Sequence, residues 1–200
     1  MQFLLDQLGG IVVGGILILS IIGLNFQMNN ASYEKFGQST IQQTAISTME
    51  TIEYDFYKIG YRVSTEVIQV ADSTTTKFKT DLITTTYPEG DGTEDIIEYS
   101  IGTEEDLNST PNPNDKPLYR KVNSGQNELV GTVTEWKINY YDLLGNELAY
   151  SSLLDSTGRS AIRAIGLHAK FESPQQFDGR YQQFESDKLI TPKNLLMTEN

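Results

Sequence analysis

The residues with the type and spacing to do chemistry fall in a few places. Asp6 stands just ahead of a run, Leu8 to Leu24, whose only polar side chain is Ser20. A carboxylate there either finds a cationic partner inside a helix bundle, because burying it alone is costly, or stays in water at a membrane surface. Within the run, Gly10 and Gly14 have the Gly-x-x-x-Gly spacing that lets two apolar helices approach closely. Gly9, Gly10, Gly14, Gly15 and Gly23 together could equally unwind the segment locally, since glycine weakens a helix interior. Asp91, Glu94 and Asp95 cluster in a glycine-containing turn of the oxygen-rich kind that Ca²⁺ favours. Their spacing departs from the EF-hand pattern, and a solvated acidic turn accounts for them as well. Asn30-Ala31-Ser32 and Asn108-Ser109-Thr110 are N-glycosylation triplets by pattern, the second in an expected exposed loop.

Little points to catalysis. His168 is the single histidine and shares a strand face with Lys170, and no cysteine, nucleophile elbow or phosphate loop accompanies it. The chain reads as a non-enzyme without a cofactor, Ca²⁺ at the acidic turn being the one candidate. The absence of cysteine removes disulfides and thiolate metal sites. A net charge of −12 argues against direct binding of nucleic acid or anionic lipid, which both favour Lys and Arg.

The elements that position these residues begin with the apolar run. Burying it takes membrane, detergent or copies of itself. No Lys or Arg precedes Lys35, so the segment lacks the basic flank of a secretory signal. Two readings are open: a basic leader has been removed ahead of Met1, or Met1 is the initiator and the rest of the chain sets the orientation. One helix is expected from about Phe3 to Ile59, apolar over residues 1–33 and amphipathic over 34–60. A break near Asn29-Asn30 or Gly37 is the alternative. Ala45, Met49, Ile52, Phe56 and Ile59 recur at helical spacing and form a stripe that packs on the C-terminal part of the chain. Gly60 suits the left-handed cap that ends a helix.

Residues 61–200 read as a β-rich head. Val67 to Val70, Thr74 to Tyr87, Asp95 to Ile101, Leu118 to Val122 and Glu128 to Asp142 are rich in β-branched or aromatic residues. Pro88 to Gly92 is a turn, and Leu107 to Lys116 a loop. In the Glu128–Asp142 segment Thr134, Trp136, Ile138 and Tyr140 share one face. In Ala161 to Glu172 it is Ile165, Leu167, Ala169 and Phe171, with the polar residues opposite, as one buried face of an antiparallel sheet requires. Beyond Pro174 the chain reads as polar and irregular, with a short edge strand near Leu189-Ile190. The fold class expected is α+β, a long N-terminal helix packed on an antiparallel sheet.

Three stretches in this order carry a resemblance. Ile52-Glu53-Tyr54-Asp55-Phe56-Tyr57-Lys58-Ile59-Gly60-Tyr61 resembles the end of the long helix in minor pilins and the larger minor pseudopilins. Leu118-Tyr119-Arg120, then Val133-Thr134-Glu135-Trp136 and the Tyr141-Asp142-x-x-Gly145 turn, is similar to their β-region, and Thr191-Pro192-Lys193-Asn194-Leu195 to their ending. The chain thus resembles the type IV pilin superfamily over nearly its whole length. It departs from the family in lacking the Glu expected at the fifth mature position: Leu5 stands there, and Asp6 would take that place only if Met1 were not part of the mature chain. It also lacks the proline of the apolar helix and the C-terminal cysteine loop.

The resemblance implies a structural subunit of an extracellular type IV pilus-like or pseudopilus filament at the cell surface, drawn from a cytoplasmic-membrane pool. Assembly would run through Asp6, Leu8, Gly10, Ile11, Gly14, Ile16 and Ile18, with Asp6 meeting the α-amino group of a neighbouring subunit. The implied partners are copies of the chain or related pilins and an inner-membrane assembly machinery. The alternative is a single-pass, membrane-anchored extracytoplasmic binding protein that does not polymerise. An anchored hydrolase would need a site that the sequence does not display.

Overall fold

The structure, a computed structural model, describes residues 2–107 and 110–196, without the side chains of Gln2, Leu4, Leu5 and Asp6. The Asp6 carboxylate and the Asn108 triplet therefore lie outside the described residues. Helix α1 spans Gln2–Tyr57 and runs unbroken through Asn29-Asn30 and Gly37. It contains no proline, and its polar residues do not compete with it. Ser20, Asn25, Ser32 and Thr40 each donate to the carbonyl four residues earlier, satisfying their own polar groups along the helix. The chain divides into two compact units, residues 1–40 and 41–200, so the last turns of α1 belong to the second unit.

In that second unit the stripe read from sequence is the core. Ala45, Met49, Ile52, Phe56 and Ile59 are all buried, joined by Ile41 at the start of the stripe. The helix ends two residues before Ile59, and Gly60 follows at φ +76°, the conformation glycine tolerates best. Its N–H donates to the Lys79 carbonyl, which turns the chain into the sheet.

The strands are antiparallel throughout but form two sheets rather than one. β1 (Ile68–Ala71), β2 (Thr75–Thr80), β3 (Asp95–Ile101), β4 (Lys116–Val122) and β5 (Glu128–Val133) make the first, in that order. β6 (Glu135–Tyr141), β7 (Ala164–Phe177) and β8 (Arg180–Ile190) make the second. Glu128 to Asp142, which reads as one strand, changes sheet at Thr134. There Val133 still pairs with Lys116, while the Thr134 N–H donates to the Lys170 carbonyl of β7. The buried face changes phase at the switch: Val133 and Trp136, three residues apart, are both buried, which a reading of one continuous strand passes over. The faces are as the alternation requires: Trp136, Ile138, Tyr140, Ile165, Leu167, Ala169 and Phe171 are buried. Between β6 and β7 lie a 3₁₀ turn at Tyr150–Leu153 and a short helix, α2 (Ser156–Ser160), capped by the Asp155 carboxylate.

Two local expectations fail. The strand expected to Tyr87 stops at Thr80, because Asp81 is buried and takes the chain out of the sheet. The stretch beyond Pro174 is a hairpin: β7 continues to Phe177 and returns as β8 through Asp178 and Gly179, both at positive φ. That Asp-Gly pair is the preferred dipeptide of a tight hairpin turn.

Candidate functional site

In the first unit, every described side chain from Gln7 to Thr40 is exposed apart from the half-buried Gly14 and Gly37. Leu8 is 64% exposed and Ile11 73%, with Ile16 and Ile18 close behind. Between Leu8 and Leu24 the surface is hydrocarbon broken by glycine. A methyl group added at Gly10 or Gly14 would meet nothing within 4 Å, so both backbones are open to close approach from outside. The single polar group in the run, the Ser20 hydroxyl, is 2.8 Å from the Ile16 carbonyl and needs no outside partner. This helix is long and apolar enough to cross a membrane. Asn30 of the first triplet is exposed within the helix.

In the second unit the end of α1 is fixed by charge as well as by apolar packing. Arg120 Nε on β4 donates to Asp55 Oδ2 at 2.6 Å, and the Tyr99 hydroxyl on β3 donates to the same oxygen at 2.7 Å. The carboxylate is almost wholly enclosed and Arg120 is mostly so. Burial opposes the charge on Arg120, but the bond and attraction from Asp55 prevail and its pKa is raised. Burial, then the nearby Asp55 charge, raises that of Tyr99. Around this group Phe56 packs on Phe78 and Tyr99 at ring separations of 5.3 and 5.5 Å. On β5, Gly131 lies so close to the helix that a Cβ there would stand 2.7 Å from Thr48 Oγ1. Lys188 on β8 reaches Glu53 at 2.9 Å, so α1 is tied to both sheets. The C-terminal stretch closes the same corner: Asn194 Nδ2 donates to the Ile59 carbonyl, beside the buried Leu195.

The acidic turn is arranged differently from the sequence expectation. Asp91 and Asp95 come together with Asp81, their carboxylates within 4.8 Å of one another. Glu94 is drawn away to Lys79 Nζ at 2.8 Å and to Thr65. Asp81 is the residue that sequence reasoning missed, although an acid ending a run of β-branched residues was its signal. Its oxygens accept from the backbone N–H groups of Asp91 and Gly92, and Arg62 lies 3.2 Å away. These contacts account for the turn as a structural staple. His168 bonds Asp187 at 2.7 Å on the wetter face of β7.

No protein-family model and no curated protein matches the sequence. Among solved structures, a type IV-like pilin from Thermus thermophilus matches with a TM-score of 0.51 at 11% identity, over 78% of this chain and 98% of that one. The chain has a pilin-like fold. The motifs that suggest the resemblance hold this pilin-like fold at its helix–sheet junction. Asp55 belongs to the first, Arg120 to the second and Asn194 to the last. The Tyr-Asp-x-x-Gly stretch forms a tight turn in which the Asp142 carboxylate accepts from the N–H groups of Leu144 and Asn146, with Gly145 at φ +80°.

Proposed function

We propose that the chain is a structural subunit of a type IV pilus-like or pseudopilus filament, polymerising through the apolar first half of α1. The observation that carries this reading is the exposure of Leu8 to Leu24, a run whose one polar side chain, Ser20, is already satisfied. Such a surface is stable only in hydrocarbon or against other helices. In the membrane the helix stores the subunit, and in a filament the same face is buried against copies of itself. Gly10 and Gly14 allow close approach, and Asp6 sets register by pairing with a neighbour's α-amino group. The pilin-like fold supports this reading through the head, an acidic, β-rich unit suited to a solvated outer coat.

The test is to shear surface material from cells that make the chain, image it, and identify its proteins by mass spectrometry. Fibres containing the chain support the proposal. Its retention in the membrane fraction, with none in fibres, favours the second reading, a membrane-anchored extracytoplasmic binding protein that does not polymerise. The same membrane-length helix supports that alternative.

A further inference from the structure

Backbone pairing in the second sheet leaves a long edge open. In an antiparallel ladder, alternate residues of a strand direct their N–H and C=O groups to the same neighbour. On β6 the even-numbered residues face away from β7: the Ile138 N–H donates to the Ser73 carbonyl, and the Tyr140 carbonyl accepts from the Leu148 N–H. Lys137 and Asn139 therefore bond to His168 and Gly166, which lie opposite them on β7. Leu167, Ala169 and Phe171 must then face β8, where they meet Lys188, Ser186 and Phe184. The alternate residues of β8, Gln183, Glu185, Asp187 and Leu189, turn their N–H and C=O groups outward, and β8 is the last strand of its sheet. None of those groups has a backbone partner among the described residues.

Other edges are engaged: Arg159 Nε donates to the Ile68 carbonyl of β1, and the Thr48 hydroxyl lies 3.5 Å from the Val130 carbonyl of β5. From Gln183 to Leu189, β8 contains no proline and pairs with β7 without a bulge, so it lacks two devices that keep an edge from accepting a strand. Charge is the device it has, and on the wetter face that charge has one sign. Glu185 and Asp187 stand there at alternate positions, the Asp187 side chain 78% exposed, with Leu189 next to them 66% exposed. On the other face Lys188 is already bonded to Glu53 at 2.9 Å. A second copy of β8 fits poorly. Antiparallel pairing about Glu185, the middle of Arg180–Ile190, sets Glu185 against itself, and like charges directly opposite destabilise a pair. A strand with Lys or Arg opposite Glu185 and Asp187, and an apolar residue beside Leu189, is complementary at each position.

We propose that the outer edge of β8 binds an extended peptide with basic side chains at alternate positions, added as a fourth strand, independently of whether the chain polymerises. Main-chain bonds supply the affinity and the acidic pair supplies the selection. The full chain, ¹⁵N-labelled in a zwitterionic detergent, would be titrated to millimolar concentration with the capped peptide Thr-Val-Thr-Lys-Thr-Lys-Thr-Thr, and separately with its counterpart carrying Glu for both Lys. Amide hydrogen exchange reports the edge directly. In the free chain the N–H groups of Gln183, Glu185, Asp187 and Leu189 should exchange fast, and those of Phe184, Ser186 and Lys188 slowly. The basic peptide should bind saturably and slow the first set, and the acidic one should bind at least tenfold more weakly. Glu185→Pro removes an outward N–H without touching the β7 ladder and should abolish binding. Glu185→Lys/Asp187→Lys should weaken it about tenfold or more through the two reversed cross-strand pairs. Absence of saturable binding of the basic peptide overturns the proposal, as does equal binding of both peptides or slowed exchange confined to other residues. Protection of the same four amides without peptide, rising with protein concentration, would assign the edge to a second copy and also overturn it. If Glu185→Pro loses its native spectrum, the charge-reversal variant decides, and unchanged affinity there counts against the proposal.

Discussion

Asp55 and Arg120, 65 residues apart in sequence, form a 2.6 Å charge-assisted bond that fastens the end of α1 to the middle of the first sheet. Each comes from one of the stretches on which the resemblance to pilins rests. The pair is enclosed, so its worth lies in being complete: both charges are desolvated, and each is tolerable only with the other.

Removing one partner should therefore be severe. Asp55→Ala leaves the Arg120 guanidinium and the Tyr99 hydroxyl without their acceptor and should cost about 3–5 kcal/mol of stability. Asp55→Ala/Arg120→Met should cost less than the sum of the two single changes, because the second removes the orphaned charge. Chemical denaturation of the four proteins in one detergent, followed by circular dichroism, measures the coupling. Additive single costs would show that the pair does not fasten the helix.

A second prediction concerns the close approach of α1 to β5. Gly131→Ala places a methyl group 2.7 Å from Thr48 Oγ1 and 2.8 Å from its Cγ2, and should lower stability by about 1–3 kcal/mol through overpacking. Thr48→Ala removes both of those atoms and should recover part of the loss in the double variant. No recovery would mean that Gly131 is required for its backbone rather than for space.

Acid should act through Glu94. Hydrogen bonds from Lys79 and Thr65, with the backbone N–H of Ser64, hold its pKa down from 4.5 to about 2. A carboxylate whose folded pKa is depressed contributes stability above its unfolded value and loses it as pH falls through the folded one. The stability difference between the parent and Glu94→Gln should be constant above about pH 5 and shrink between pH 4.5 and 2. Thermal melts of the two across that window check it. A difference that does not vary with pH would contradict it.

Much of this fold was legible in the sequence, and what was missed shares a cause. The Ala45–Ile59 stripe and the alternation of Ile165 to Phe171 were readable because burial on one face imposes a period. The change of sheet at Thr134 was not, because its one trace, buried Val133 and Trp136 three residues apart, is a single phase shift inside a β-rich run and not a period. The β7–β8 hairpin was hidden by Pro174 and by a run of Gln and Ser, although Asp178-Gly179 marked its turn. Among candidate residues, the exposed run from Leu8 to Ile18 follows from composition. Asp55 and Arg120 were visible as motif members but not as partners, since contact across 65 residues leaves no local period. Asp81 replaced Glu94 beside Asp91 and Asp95 because backbone donors ten residues on bind it, which spacing alone does not show.

Assembly should be separable from folding. Ile16→Asn puts an unsatisfied amide on the exposed face of α1, where 59% of the native side chain is open. It should abolish fibres while leaving the unfolding of the second unit unchanged. Asp6→Ala should reduce fibre yield without removing the chain from the membrane. Electron microscopy of sheared material, with denaturation of the same variants, distinguishes these results from general misfolding, and wild-type fibre yield from Ile16→Asn would count against burial of that face.

The most direct test of polymerisation through α1 exploits the absence of cysteine from the chain. Ile11→Cys and Ile16→Cys point about 140° apart around a helix of 3.6 residues per turn, toward different neighbours in a bundle. Mild oxidation of intact cells carrying both substitutions should give a ladder of disulfide-linked multimers well beyond the dimer, reversed by reductant. Monomers and dimers alone, in cells that retain the chain in the membrane, would contradict a filament core built from this helix.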